Sequence, residues 1–122
     1  LLAKVVERLA PGATVITSLP NVAHYSVAIP LLFNASFEYK DAGILDRTHL
    51  RFFVKETAVT LLNEAGLVAT KGIMSGFHGK KARLLDRLTF GTMREHLAKQ
   101  YIMAARQGVR ASQPRVNWNP RA

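Results

Sequence analysis

The chain contains no cysteine, has few acidic residues and lacks any long apolar run. The absence of cysteine excludes disulfides, thiolate zinc sites and cysteine nucleophiles, and it is typical of a cytoplasmic protein. The longest apolar patch, residues 27–33, is interrupted by Pro30, so no segment approaches the roughly 18 residues of a membrane-spanning helix. The start of the chain shows no basic and apolar regions of a signal peptide. We therefore predict a cytoplasmic protein without a membrane span.

Charge is distributed unevenly between the two signs and along the chain. Lysine and arginine number 17 against 8 acidic residues, a net charge of +9, which raises the hypothesis of a nucleic-acid or acidic-protein partner. The excess lies late in the sequence, at Lys80, Lys81, Arg83, Arg87, Arg94, Lys99, Arg106, Arg110, Arg115 and Arg121. Because these residues follow no single aromatic-studded stripe, their spacing is typical of a solvated surface. A non-catalytic basic module that binds nucleic acid or an acidic partner therefore stays as the alternative function.

The apolar pattern alternates between helix and strand in the order of an α/β protein. A hydrophobic share of 48% over 122 residues suits one domain with a modest core. Residues 1–9 have helical spacing, Pro11-Gly12 ends that helix, and residues 13–19 are apolar on both faces, as in a central strand of a parallel sheet. The later predictions are a helix at 22–33 kinked at Pro30, an ordered lid at 34–53, a helix at 56–65, a strand at 67–74, a glycine-framed turn at 76–79, a helix at 81–88, a strand at 99–106 and a basic, poorly ordered tail over 107–122.

Most of the polar chemistry is concentrated in the predicted lid. Residues 41–53 read D-A-G-I-L-D-R-T-H-L-R-F-F and lie between apolar elements, where functional sites are commonly found. Upstream, residues 18–21 read S-L-P-N at the end of the first strand, and downstream, residues 64–66 read E-A-G.

In their order, these three segments resemble the C-terminal half of a class I S-adenosylmethionine-dependent methyltransferase. The similar branch combines an S-x-P-N strand end with a D-x-G-x-x-D-x-T-H-x-R-F-F lid and an E-A-G turn. The resemblance covers residues 1–106, which we treat as a partial, acceptor-side methyltransferase domain. It implies strands five to seven of a seven-stranded Rossmann-like sheet, with the last strand antiparallel.

That resemblance also implies an activity, a cofactor and partners. The activity is O-methylation of a small molecule or a sugar with S-adenosyl-L-methionine. The cofactor-binding half would lie upstream of Leu1, so the chain alone would be inactive, and its partners would be the missing half, a small-molecule acceptor or a second copy in a homodimer. A third possibility is a fragment with no independent function.

Nothing in the sequence matches a cofactor loop or a metal site. The glycine-rich loop of this fold follows a strand and is accompanied by an acidic residue after the next strand. Pro11-Gly12 precedes a strand instead, and the pair Gly76 and Gly79 lacks the third glycine and the acid. The four histidines show no paired ligand spacing and no carboxylate cluster: His24, His49, His78 and His96. We therefore assign no cofactor-binding residue and no metal ligand.

His49 is the candidate catalytic residue. The segment from Thr48 to Phe53 resembles the T-H-x-x-x-F lid segment of ubiquinone-type O-methyltransferases, and a neutral imidazole is the usual base for deprotonating a hydroxyl near pH 7. Asp46 could orient that imidazole or pair with Arg51, itself a candidate acceptor-binding residue. The alternative is structural: Asp46, Arg47, His49 and Arg51 would form an ion-pair network that only holds the lid on the sheet.

Three further candidates for acceptor binding follow the first strand, at the edge where open α/β sheets bind ligands. Asn21 could hydrogen-bond an acceptor hydroxyl, or its side chain could simply stabilise the turn. His24 and Tyr25 could line an acceptor pocket, and the alternative for His24 is a solvated histidine at a helix start.

Overall fold

A computed structural model describes residues 2–76, 80–108 and 116–119 of the chain. Its elements, in chain order, are α1 (Leu2–Val6), β1 (Thr14–Pro20), α2 (Tyr25–Asn34), α3 (Lys55–Glu64), β2 (Leu67–Ser75), α4 (Lys80–Leu88), α5 (Arg94–Leu97), β3 (Gln100–Gln107) and β4 (Asn117–Asn119). The predicted α/β class is confirmed, and every helix and strand predicted from the sequence is present within a few residues of its expected bounds. The prediction of a central strand in a parallel sheet was wrong for β1, because it lies at the edge of the sheet and its neighbour runs antiparallel to it. Both α5 and β4 were missed.

The four strands form one mixed, open sheet in the order β1-β3-β2-β4. Strand β3 lies between β1 and β2 and is antiparallel to both, so β1 and β2 run in the same direction. Gln100, the first residue of β3, is opposite Pro20 on one side and Ser75 on the other. The ends of β1 and β2 therefore meet the start of β3 at one end of the strands, and the predicted lid, which follows α2, returns the chain to that end at Phe53.

Helix α3 covers one face of the sheet and forms the core with it. Alternate residues of β3 point to that face, and Tyr101, Met103 and Ala105 are fully buried, as the two-residue period of a strand requires. Helix α3 contributes Ala58 and Leu62, which are also fully buried. The central strand and α3 thus hold the sheet edge in place.

The lid is an ordered loop, as predicted, but its internal contacts are aromatic. Phe52 lies edge-to-face against Phe37 with ring centroids 5.5 Å apart, and it lies 6.0 Å from the ring of Tyr39. Phe53 packs against the core, and its backbone forms an isolated bridge with Asn21 at the end of β1. The two phenylalanines therefore divide their roles: Phe52 stabilises the lid internally, while Phe53 joins it to the sheet.

Part of the predicted disordered tail is ordered. Gln107 is the last residue of β3, and Asn117–Asn119 form β4, which pairs in parallel with β2. Trp118 lies 5.7 Å from the ring of Tyr101, because the absence of a side chain at Gly72 leaves room for the indole. The packing of this one large aromatic side chain stabilises the strand even though the residues around it are polar.

Several predictions fall outside the described residues: most of the 76–79 turn, with His78, and the remaining tail, with Arg110, Arg115 and Arg121. Among the residues that are described, no helix is long and apolar enough to cross a membrane.

Candidate functional site

A cavity of about 300 Å³ opens where the ends of β1 and β2 meet the start of β3. The lid closes one side of it and the sheet edge closes the other. Its lining consists of Ser18, Pro20, Gly43, Ile44, His49, Ser75, Gly76, Lys99 and Gln100. This volume is at the lower end of the range for small-molecule sites, and the position is the one at which open α/β sheets bind ligands.

Of the six residues proposed from the sequence for catalysis or acceptor binding, His49 is the one that lines this cavity. Its Nδ1 lies 3.0 Å from the backbone oxygen of Ile44. Because a carbonyl oxygen only accepts hydrogen bonds, Nδ1 carries the proton in the neutral ring, and Nε2 keeps its lone pair. A half-buried imidazole is thereby fixed in the tautomer that accepts a proton at Nε2.

Asp46 does not orient that imidazole. Its Oδ1 accepts hydrogen bonds from the backbone N–H of Thr48 at 2.8 Å and from the Thr48 hydroxyl at 2.7 Å. These two hydrogen bonds lower the pKa of Asp46, and the nearby His49 contributes less. The backbone N–H of His49 donates to the Asp46 carbonyl at 2.9 Å, so Asp46 closes the turn that presents His49. Ile44, through its carbonyl, has the orienting role that was predicted for Asp46.

The predicted four-residue ion-pair network is not formed. Arg47 pairs with Asp41 instead, at 3.0 Å and fully on the surface. Arg51 is exposed and has no ion pair among the described residues, and it does not line the cavity. The side chains were correctly placed in one loop, but successive lid residues point in different directions. The structure gives no support to a role for Arg51 in acceptor binding.

Asn21 is completely buried and its amide is used within the protein. Nδ2 donates to the backbone oxygens of Glu95, at 2.6 Å, and Ala98, at 2.8 Å. Oδ1 accepts from the N–H of Ala23 at 3.0 Å. Both donors of the amide are thus engaged, which favours the structural alternative for Asn21 over a contact with the acceptor. The amide connects the end of β1 to α5 and the segment that leads into β3.

His24 caps the start of α2 and is only 2% exposed. Its Nδ1 accepts from the N–H of Ser26 at 3.2 Å and lies 2.8 Å from the Ser26 hydroxyl. Burial lowers the pKa of His24, and the positive charge of Lys99 lowers it further. His24 therefore begins the helix, as the alternative stated, but it is buried rather than solvated.

Tyr25 lies against His24 with ring centroids 4.3 Å apart and is half exposed. Neither ring is part of the cavity lining. Their predicted contact with an acceptor stays a prediction without support from this geometry.

Sequence reasoning missed the polar residues that the sheet brings to His49. The Ser18 hydroxyl donates to Oε1 of Gln100 at 3.1 Å, from β1 to the neighbouring β3, and Lys99 directly precedes β3. Gly76 is required beside Lys99, because its φ is +101° and an added Cβ would lie 2.7 Å from the Lys99 Cβ. Ser18 belonged to the S-x-P-N motif. Lys99 was noted only as one of the late basic residues, and nothing in the sequence linked Lys99 or Gln100 to this site, since only the insertion of β3 between β1 and β2 brings them there.

A second, smaller cavity of about 170 Å³ adjoins the first and shares Gly43, Ile44 and Lys99 with it. Its remaining lining residues are Ser26, Val27, Lys40, Ala42 and Leu45. No acidic side chain of residues 2–76, 80–108 or 116–119 lines either cavity.

Comparison with known proteins gives no match to a protein-family model or to a curated protein. Within the described part of the chain, no three histidine, aspartate or glutamate residues are grouped so that they could hold a metal ion. The site must therefore be interpreted from its own geometry and from the motifs of the sequence.

Proposed function

We propose that this chain is the acceptor-side portion of a class I S-adenosylmethionine-dependent methyltransferase that methylates a hydroxyl group of a small molecule or a sugar. The observation that carries the proposal is the imidazole of His49, whose Nδ1 is held by the Ile44 carbonyl, in a cavity at the carboxyl ends of two strands that run in the same direction. The T-H-L-R-F-F motif around it supplies the resemblance.

The strand arrangement gives independent support. The resemblance implies three terminal strands, of which the last is inserted antiparallel, and β3 lies in this way between β1 and β2. The lid that carries His49 follows β1 and leads into α3, and Gly66 follows that helix with a φ of +80°. An E-A-G turn at this point thus has a physical reason, because a glycine readily adopts the left-handed conformation that ends a helix.

His49 would act as the base for the acceptor. With Nδ1–H donated to Ile44, Nε2 accepts the proton that the acceptor hydroxyl loses as its oxygen becomes nucleophilic. The hydrogen bond to Ile44 grows stronger when the ring becomes positively charged, since a charged donor forms the stronger bond. Ser18 and Gln100 line the same cavity and offer a hydroxyl and an amide to the other polar groups of an acceptor.

The described residues do not fit the cofactor itself. Of the positive-φ glycines at 12, 43, 66, 76 and 91, Gly76 is the one that follows a strand and precedes a helix, and the sequence there, G-F-H-G, lacks the third glycine and the acid of a cofactor loop. Such a loop is what lets backbone N–H groups approach a nucleotide cofactor in this fold. We therefore propose that the cofactor-binding residues lie upstream of Leu1.

The proposal is tested on the protein expressed together with its upstream coding sequence, which should encode a strand followed by an E/D-x-G-x-G loop. This longer protein is incubated with methyl-labelled S-adenosylmethionine and a panel of hydroxylated sugars and sugar acids. We expect label on the oxygen of at least one acceptor. An upstream sequence without such a loop, or a longer protein that binds the cofactor and labels no acceptor, would contradict the proposal.

Helix α4 supports the alternative function, a basic module for an acidic partner. Its leucines Leu84, Leu85 and Leu88 are exposed, and its basic residues are Lys80, Lys81, Arg83 and Arg87. A positive helix with exposed apolar residues suits an acidic protein or a nucleic acid. Binding of an oligonucleotide that weakens steeply as salt rises would favour this module, whereas salt-independent or absent binding counts against it.

A further inference from the structure

The two adjoining cavities have a positive lining. Lys99 belongs to both linings and Lys40 to the smaller one. Neither lysine forms an ion pair with a described residue, and Asp41, next to Lys40, is paired with Arg47. Positive charge in a concave site without a protein counter-ion concentrates anions from solution.

Lys99 is held firmly at the sheet edge by its backbone. Its N–H donates to the oxygen of Ser75 at 2.8 Å, and its own oxygen accepts from the N–H of Asn21 at 2.9 Å. Gly76 packs closely against its Cβ. The chain therefore places the base of this lysine between the ends of β1 and β2, and only the flexible part of the side chain remains free to reach a ligand.

We propose that the acceptor bound in this site carries an acidic group, a carboxylate or a phosphate, that Lys99 binds while His49 faces a hydroxyl group of the same molecule. The role of His49 rests on the function proposed above, whereas the binding of the anion at Lys99 does not. A cavity of about 300 Å³ accommodates one sugar ring with its acidic substituent. The substrate class is thus a hydroxylated sugar acid or sugar phosphate rather than a neutral sugar.

The surroundings of Lys99 provide a readout that needs no methyl transfer. Burial lowers the pKa of His24 and the charge of Lys99 lowers it further. An anion bound to Lys99 offsets that charge, and the pKa of His24 then rises. The imidazole of His24 therefore reports occupancy of the site from within the protein.

The test is a titration of the full chain by NMR with three matched probes: glucuronate, glucose 6-phosphate and neutral glucose. It is repeated with Lys99→Gln and, as a matched control, with Lys71→Gln, an exposed lysine of β2 that lines neither cavity. We expect at least one acidic probe to bind about tenfold or more tightly than glucose. Lys99→Gln should remove that preference, because the hydrogen bond between the lysine ammonium and the acidic group of the probe is lost. The control should bind like the unaltered chain, and the pKa of His24 should rise on binding.

Binding of glucuronate alone identifies the group as a carboxylate, and binding of glucose 6-phosphate alone identifies it as a phosphate. Equal binding of all three probes, unchanged binding by Lys99→Gln or no binding at all would overturn the inference. Should the acids bind at Lys99 while His49→Ala keeps full turnover in the longer protein, the proposed function fails and the anion site stands. If no acid binds at Lys99 while His49→Ala loses its turnover, the anion site fails and the proposed function stands.

Discussion

His24 caps helix α2 and is also buried, so its protonation state affects the stability of the fold. Nδ1 must be unprotonated to accept from the N–H of Ser26, and burial, followed by the charge of Lys99, lowers the pKa of His24 below its ordinary value of 6.5. Between the lowered pKa of His24 in the folded chain and 6.5, the unfolded chain therefore binds more protons than the folded one. In that window the free energy of unfolding rises with pH, so the contribution of His24 is complete above 6.5 and is lost as the pH falls.

We predict that His24→Asn weakens this dependence, because asparagine caps a helix without titrating near neutrality. Urea unfolding at pH 7 and pH 5 measures it. The unaltered chain should lose about 1 kcal/mol more than the variant on acidification, the typical value of a helix cap. Lys99→Gln serves as a control, since it should raise the pKa of His24 and reduce the dependence in part. An identical loss in His24→Asn would show that other groups determine the acid sensitivity.

The residues of the site also differ in how far the sequence could identify them. His49 could be singled out because its motif is local, and the structure places it in the lining of a cavity, while its role as a base stays a prediction. Asp46 was assigned the wrong partner because the orienting group, the Ile44 carbonyl, belongs to the backbone and has no sequence signature. Lys99 was noted only as part of the late positive charge and was not assigned to the site, since β3 brings it there from a distant part of the chain.

Among the elements, β4 is held on the sheet partly by one close contact. Trp118 occupies the space above Gly72, and a Cβ added at Gly72 would lie 2.5 Å from the Trp118 ring. Strand β4 is three residues long, so the packing of this indole makes up a large part of its contact with the sheet.

We predict that Gly72→Ala displaces Trp118 and exposes it to water, with a loss of about 1–3 kcal/mol, as is typical of an overpacked core. Trp118 is the sole tryptophan of the chain, so its fluorescence emission should shift to longer wavelength. Thr70→Ala on the same strand, where the side chain is exposed, is the control and should leave the emission unchanged. A Gly72→Ala variant with the emission of the unaltered chain would mean that β4 does not depend on this contact.

The elements predicted from the sequence are those with strong local patterns. Strands β1, β2 and β3 are rich in apolar or β-branched residues, and α3 has an amphipathic period closed by Gly66. Helix α5 was missed because four residues carry too little periodicity, and its position depends on the bonds from Asn21 and on the ion pair of Lys55 with Glu95. Both are contacts between distant segments.

Across the whole molecule, the absence of a cofactor loop among the described residues leads to a direct prediction. The chain by itself should not bind S-adenosylmethionine measurably in a calorimetric titration, because its sequence contains no loop with the three glycines and the acid that hold a nucleotide cofactor in this fold. The longer protein with its upstream residues is the positive control. A dissociation constant in the low micromolar range for the chain alone would show that the cofactor site lies within these residues.

A second property of the whole molecule is its uncovered apolar surface. Strand β1 is at the edge of the sheet, and Ile16 on it is 74% exposed. Helix α2 exposes Leu32 and Phe33 to a similar extent. Unpaired edges and apolar patches of this kind associate with another chain when nothing covers them.

We therefore expect the isolated chain to form dimers or larger species, with a two-fold dimer as the simplest product. Light scattering over a range of concentrations measures this. Ile16→Lys should shift the equilibrium towards monomer, since a charged residue on an edge strand opposes strand pairing. Lys4→Gln in α1 is the control and should behave as the unaltered chain does. A monomer at every concentration would contradict the expectation that this surface needs a partner.

His49, as the base for the acceptor hydroxyl, is the residue on which the proposed methyl transfer depends most. Its decisive measurement is the turnover number and the melting temperature of His49→Ala, determined together in the longer protein with a labelled methyl donor. Removal of a general base should lower turnover by about 100- to 10,000-fold, whereas loss of a half-buried histidine should reduce stability by only around 1 kcal/mol. We predict that His49→Ala shows this large fall in turnover and a nearly unchanged melting temperature. Near-normal turnover with a melting temperature many degrees lower would contradict the account and make His49 a structural residue of the lid.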